Sequence, residues 1–164
     1  MARDGFAATT EQVARAAGVS QPYVIRLFGG KRELMLAVLE RAVDRVLATF
    51  AEVPGGAGAD HRLAVAYGGL LDDRDLLLVL LQGFVASGDE EVGRITRRAL
   101  AAAHHSYVEA TGNDGEPARK FLASGLLMTI LTAVHAREHR GEDAAVDAMV
   151  DCAFGALPSG GAPS

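Results

Sequence analysis

The sequence predicts an all-α chain, an N-terminal helix-turn-helix head followed by a helical bundle. Three observations carry this. Ala and Leu are abundant, Trp is absent and aromatic residues make up 5%, which favours helices over a β-sandwich, whose strands want Val, Tyr and Thr. Apolar residues recur at intervals of three and four and nowhere alternate with period two over the length of a strand. Glycine-rich breaks fall at 18, 29–30, 54–58, 88–89, 112–115 and 141, and Asp, Ser or Thr often opens the segment that follows.

The spacing predicts helices over 10–17, 21–28, 32–53, 60–71, 73–87, 89–111, 116–139 and 142–157. In the first, Thr10 is the expected cap, with Val13, Ala14 and Ala17 on the inner face. Gly18 stands where a helix end needs a left-handed residue, and Val19 is expected to plug the corner. Ser20 caps the second helix, and Pro22 falls in its first turn, where a missing N–H is harmless. Val24, Leu27 and Phe28 share its inner side; Pro22 and Arg26 point away, with Tyr23 and Ile25 on the flanks. The third helix carries one stripe of Met35, Val38, Leu39, Ala42, Val46 and Phe50. Residues 54–58 form a hinge, and the run 76–81 reads as core. The seventh helix is nearly apolar all round through 121–136, and the eighth has its apolar positions at Ala145, Val146, Met149, Val150, Ala153, Phe154 and Leu157. The expected division is a head at 1–48, a helical body at 49–157 and a fraying tail at 158–164.

With 49% apolar and 23% charged residues among 164, the composition is that of a folded globule. The single cysteine, Cys152, excludes an intrachain disulfide framework and a multi-thiolate cluster; its apolar neighbours predict a buried, inert thiol. No apolar signal segment follows Met1, so a reduced, cytoplasmic protein is expected. The stretches 76–88 and 121–136 are short of the roughly 20 residues a bilayer core requires, so no membrane partner is expected. Charge divides unevenly. Residues 1–50 hold seven Lys/Arg against five Asp/Glu, and the rest nine against sixteen, a mildly basic head on an acidic body.

A helix, a three-residue glycine turn and a second helix with a polar outward face make a helix-turn-helix, whose second helix enters the major groove of double-stranded DNA. The plainer alternative is an αα-corner that binds nothing. Gln21, Tyr23 and Arg26 are the base-edge candidates, since Arg matches guanine O6/N7 and Gln matches adenine; Arg26 on a phosphate is the competing reading. Thr10 and Lys31 sit at helix starts, where N–H groups attract phosphate, and Ser20 and Pro22 shape the start of the reading helix.

Thr9-Thr10, Val13-Ala14, Ala16-Ala17-Gly18-Val19-Ser20, Pro22, Phe28, Lys31 and Leu34 together resemble the N-terminal signature of TetR-type (tetracycline-repressor-like) transcriptional regulators, from Gly5 to about residue 39. The resemblance implies a body of helices ending in a dimerising pair and a repressor released from its operator by a small-molecule effector. Two departures stand out. Four residues precede Gly5, where the family has a full helix, so the expectation is either a wrongly assigned start or a head lacking most of its first helix, the latter leaving Phe6, Val13 and part of the Met35 helix uncovered. Ile25 stands where family members carry a phosphate-touching tyrosine; Tyr23 offers an aromatic hydroxyl two residues earlier.

An all-round apolar seventh helix needs cover on every side. With the last helix it is expected to form half of an isologous four-helix homodimer interface through Phe121, Leu122, Leu126, Ile130, Val146, Met149, Val150 and Phe154. Effector-pocket candidates are Tyr67, Leu71, Leu80, Gln82, Phe84, His104, His105, Tyr107, Met128 and Thr129, apolar with a few polar points; plain core packing is the alternative for each. His135 to His139 spells the inverted zinc-protease motif H-x-x-E-H, but at a helix end and with no third ligand evident, so neither enzyme nor cofactor is expected. No phosphate loop or nucleophile elbow occurs. The competing function is a helical dimer that has lost DNA binding and serves as a ligand-binding or interaction protein.

Overall fold

The computed structural model describes residues 8–155, which hold eight helices and no strand. They are α1 Thr10–Ala16, α2 Gln21–Phe28, α3 Lys31–Ala51, α4 Ala59–Leu70, α5 Arg74–Val85, α6 Glu90–Thr111, α7 Glu116–Ala133 and α8 Ala144–Phe154. None of these is long and apolar enough to cross a membrane. The expectations at Gly5, Phe6, Leu157 and 158–164 lie outside the described residues.

The helices group into two compact units. The first takes in the chain up to Arg45 together with Asp75–Leu100; the second holds Val46–Arg74 and the chain from Ala101. Residues 75–100 therefore pack with the chain up to Arg45.

In the first unit Ala14, Val24 and Leu34 form the core beneath the helix-turn-helix, flanked by Val13, Phe28 and Val38. Leu39, Val43, Leu77 and Ile95 are fully buried. Leu39 lies against the bare backbone of Gly83, where a Cβ would come within 2.7 Å of Leu39 Cδ1. On the surface, three ion pairs link α3 to α6 and the residue before it: Arg32–Asp89 at 3.0 Å, Glu40–Arg94 at 3.7 Å and Asp44–Arg98 at 3.3 Å. Exposed pairs of this kind contribute little individually.

Asp89 also caps α6, its Oδ1 accepting the N–H groups of Glu91 (3.0 Å) and Val92 (3.2 Å). The Val92 bond, and then Arg32, hold its carboxyl below the usual carboxylate range. A depressed folded value means that this stabilisation is complete above about pH 4 and is lost as pH falls through the folded value. The thermal midpoint is accordingly expected to drop on acidification below about pH 4, and less steeply in Asp89→Asn. Parallel curves for the two proteins would contradict this.

In the second unit Phe50, Leu63, Tyr107 and Ala118 are the buried centre. Four rings fill it: Phe50 to Tyr67 at 6.0 Å, Phe50 edge-on to Phe121 at 5.7 Å, and Tyr107 stacked on Phe121 at 4.8 Å. Separately, α7 and α8 join through Leu131, Ala136 and Val150, with Leu127, Val146, Ala153 and Phe154 around them.

The seventh helix stops at Ala133, six residues before its predicted end. His135 takes φ 56°, the Ala136 N–H donates to Leu131 O at 2.9 Å and the His135 N–H to Thr132 O at 3.1 Å. This is the bond pattern of a Schellman cap, completed by the contact of Ala136 with Leu131. Histidine occupies the left-handed position at a cost of roughly 1–2 kcal/mol, so no glycine marks the stop in the sequence. His135 and His139 consequently lie in a turn, where His139 Nδ1 is 3.0 Å from the His135 carbonyl oxygen. The one-helix face that H-x-x-E-H requires is not formed. Cys152, expected to be buried, is exposed.

Candidate nucleic-acid interface

The head is built by three local devices. Thr9, not Thr10, caps α1. Its Oγ1 accepts the Gln12 N–H at 3.1 Å while its own N–H donates to Gln12 Oε1 at 2.7 Å, a capping box shifted one residue from expectation because Gln12 stands three residues beyond Thr9. At the far end Gly18 takes φ 67°. Its N–H reaches Arg15 O at 3.2 Å and the Val19 N–H reaches Ala14 O at 3.0 Å, again a Schellman cap, here on the predicted glycine. Ser20 then caps α2, its Oγ accepting the Tyr23 N–H at 3.3 Å, with Pro22 in the first turn. Replacing Thr9 by Ala is expected to cost about 1 kcal/mol of stability, read by denaturant titration; an unchanged midpoint would contradict the cap.

The inner face of α2 is narrower than predicted. Val24 is buried and Phe28 half-buried, but Leu27 is 60% exposed. On a helix Phe28 lies about 40° from Val24 and Leu27 about 60° to the other side. Ala14 and Leu34 meet the Phe28 side, leaving Leu27 out. Ala17 and Val19, expected to be inside, are exposed too. Met35 is buried and Val13 half-buried, so the loss of cover anticipated for them is absent.

The outward face carries Gln21, Pro22, Tyr23, Ile25 and Arg26, all exposed. Two of these side chains are held in place. Gln21 Nε2 donates to Thr10 Oγ1 at 3.0 Å, and the Arg26 guanidinium lies 5.5 Å from the centre of the Tyr23 ring, a cation–π distance. Lys31 is exposed at the first position of α3. The surface thus offers amide, phenol, guanidinium and ammonium groups around one short capped helix. That is the chemistry for base edges and phosphates.

Sequence reasoning missed a hollow of about 320 Å³ lined by Lys31, Arg32, Met35, Leu36, Ala86, Asp89 and Val92. It joins α3 to residues fifty or more positions away, and no local pattern marks it.

The effector candidates do not all fall together. Leu80, Gln82 and Phe84 belong to the first unit and the others to the second. Leu71, Tyr107 and Met128 are buried, Tyr107 with its ring stacked on Phe121. The Tyr67 hydroxyl and Thr129 Oγ1 are 2.5 Å apart, and Thr129 also donates to Gly125 O at 2.8 Å. Burial pushes the Tyr67 hydroxyl above the usual tyrosine range, opposed by the Thr129 bond. His104 Nε2 is 3.0 Å from Asp114 Oδ1, and His105 is exposed.

Of the expected interface residues, Phe121 turns into the ring cluster of its own chain. Val146, Val150 and Phe154 belong to the α7–α8 core. Leu122 is half-buried, and Leu126, Ile130 and Met149 are exposed, with Val134 beside them in sequence register. A short internal bundle uses one face of each helix, so about half of the predicted set is consumed inside the protomer.

Residues 1–38 match the family model described as bacterial regulatory proteins, tetR family. No curated protein and no solved structure matches the chain.

Proposed function

We propose that this chain, whose residues 1–38 match the family model described as bacterial regulatory proteins, tetR family, is a DNA-binding transcriptional regulator, a homodimeric repressor that a small molecule releases from its operator. The observation that carries the DNA-reading part is the outward face of α2, with Gln21 and Arg26 each held by a neighbour on a helix capped at both ends. Arg26 reads a guanine edge, Gln21 an adenine edge, and Tyr23, Lys31 and the start of α2 at Ser20 and Pro22 meet the backbone.

Dimerisation is proposed through the exposed apolar stripe Leu126, Ile130 and Val134 of the α7 end and Met149 of α8. A twofold pair sets two reading helices for half-sites about 34–36 Å apart. The effector is proposed to act at the ring cluster of the second unit, where Tyr67 and Thr129 give a polar point among apolar walls. It releases DNA only by binding the DNA-free arrangement more tightly than the DNA-bound one.

Selection of bound duplexes from a randomised pool tests this reading. The full chain is expected to enrich a pseudo-palindrome with half-sites one helical turn apart. Recovery of the unselected pool would contradict it and favour the helical dimer without DNA. For the effector, a planar aromatic compound found by thermal shift is expected to weaken DNA binding in the wild type and less so in Tyr67→Phe. Binders that leave DNA affinity unchanged would remove the release step.

A further inference from the structure

We infer that Thr10 is the positioning residue for base reading by Gln21, and that it confers an adenine preference at one base pair of the half-site. The inference rests on the DNA-reading proposal above. Thr10 is relieved of capping by Thr9, which holds both ends of the capping box. Its hydroxyl instead spans the corner to α2, accepting from Gln21 Nε2 at 3.0 Å across eleven residues of chain. Both partners stand on anchored backbone. Thr10 is the first residue of a helix closed by the Gly18 cap, and Gln21 is the first residue of α2, directly after the Ser20 cap.

The bond has two consequences. An exposed glutamine has three side-chain torsions to immobilise when it meets a base, and that restriction opposes binding. Tethering to Thr10 fixes the amide before DNA arrives. The amide also has only two N–H groups and one carbonyl oxygen. With one N–H committed to Thr10, one acceptor and one donor remain. That pair complements adenine N6–H and N7 in the major groove.

This role differs from the phosphate contact that the position of Thr10 at a helix start predicts. A phosphate contact strengthens binding to every duplex alike, and a tether acts at a single base pair. Arg26, resting on Tyr23, serves as the internal control, because its preference does not pass through Thr10.

The test is selection from the randomised duplex pool by full-length wild type, Thr10→Val, Thr10→Ser and Gln21→Ala, scored position by position. Thr10→Val keeps the branched shape and removes the hydroxyl; Thr10→Ser keeps the oxygen. Thr10→Val is expected to flatten the adenine preference by about three- to tenfold at the same position as Gln21→Ala. The guanine preference that Arg26 supplies stays unchanged, and Thr10→Ser retains the adenine preference. Uniform weakening of all sequences by Thr10→Val, or flattening at a different position from Gln21→Ala, would overturn the inference while leaving the DNA-reading proposal standing. Enrichment of no sequence by the wild type would overturn both.

Discussion

Ile130→Glu is expected to abolish the proposed dimer and leave a monomer that remains folded. Ile130 is 50% exposed within its own chain, in the stripe with Leu126 and Val134, so the protomer loses little by the change. In an isologous interface the substitution appears twice. Each carboxylate must leave water for an apolar surface at a cost of roughly 2 kcal/mol or more, which together raises the dissociation constant on the order of a thousandfold. Sedimentation at micromolar concentration, paired with a thermal melt, reads both halves of the prediction. DNA binding is expected to fall with dimerisation, because a single head retains one half-site only. A variant that still sediments as a dimer would move the interface elsewhere. Val150→Glu, by contrast, should unfold the α7–α8 pair, since Val150 is 3% exposed and packs against Leu131 and Ala136.

Arg26→Ala is expected to weaken binding of the selected duplex by about 1–3 kcal/mol and to erase the preference at one guanine position. The exposed guanidinium rests on Tyr23 and is thereby restricted before it meets DNA. Competition with duplexes changed at each position separates this outcome from the alternative. If Arg26 contacts phosphate, all sequences lose affinity together and the salt dependence becomes shallower by about one unit of slope. Tyr23→Leu, which removes the ring beneath the guanidinium, is expected to reduce the same guanine preference partially.

Local chemistry made most of the fold legible. Gly18 and Ser20 mark their caps because only glycine enters the left-handed region freely and serine caps through its own oxygen, and both function as read. The start of α1 at residue 10 was legible, but its cap was not, because Thr9 and Thr10 can each cap in principle and the choice is decided by Gln12. The end of α7 was misplaced by six because His135 takes a conformation usually left to glycine, held there by the burial of Ala136. Neither decision has a signature in hydrophobic spacing.

What stayed hidden is long-range. The association of residues 75–100 with the head rests on pairs such as Arg32–Asp89 and on Leu39 against Gly83, each joining positions more than forty apart. The same holds for the inward turn of Phe121, which the sequence presents as one apolar residue on an apolar helix. Its position is settled by Tyr107 and Phe50 on other helices. At the proposed DNA-reading face the outward residues were legible from helical geometry. The Thr10–Gln21 bond was not, because it crosses a corner whose shape the two caps set jointly.

Guanine N7 methylation interference on the selected duplex tests most directly the proposed placement of α2 in the major groove. Loss of binding on methylation is predicted in two short patches, one helical turn apart on the same side of the duplex, with the patch in each half-site abolished by Arg26→Ala. Binding indifferent to N7 methylation throughout the site, and blocked instead by a ligand filling the minor groove, would contradict the placement of α2 against base edges.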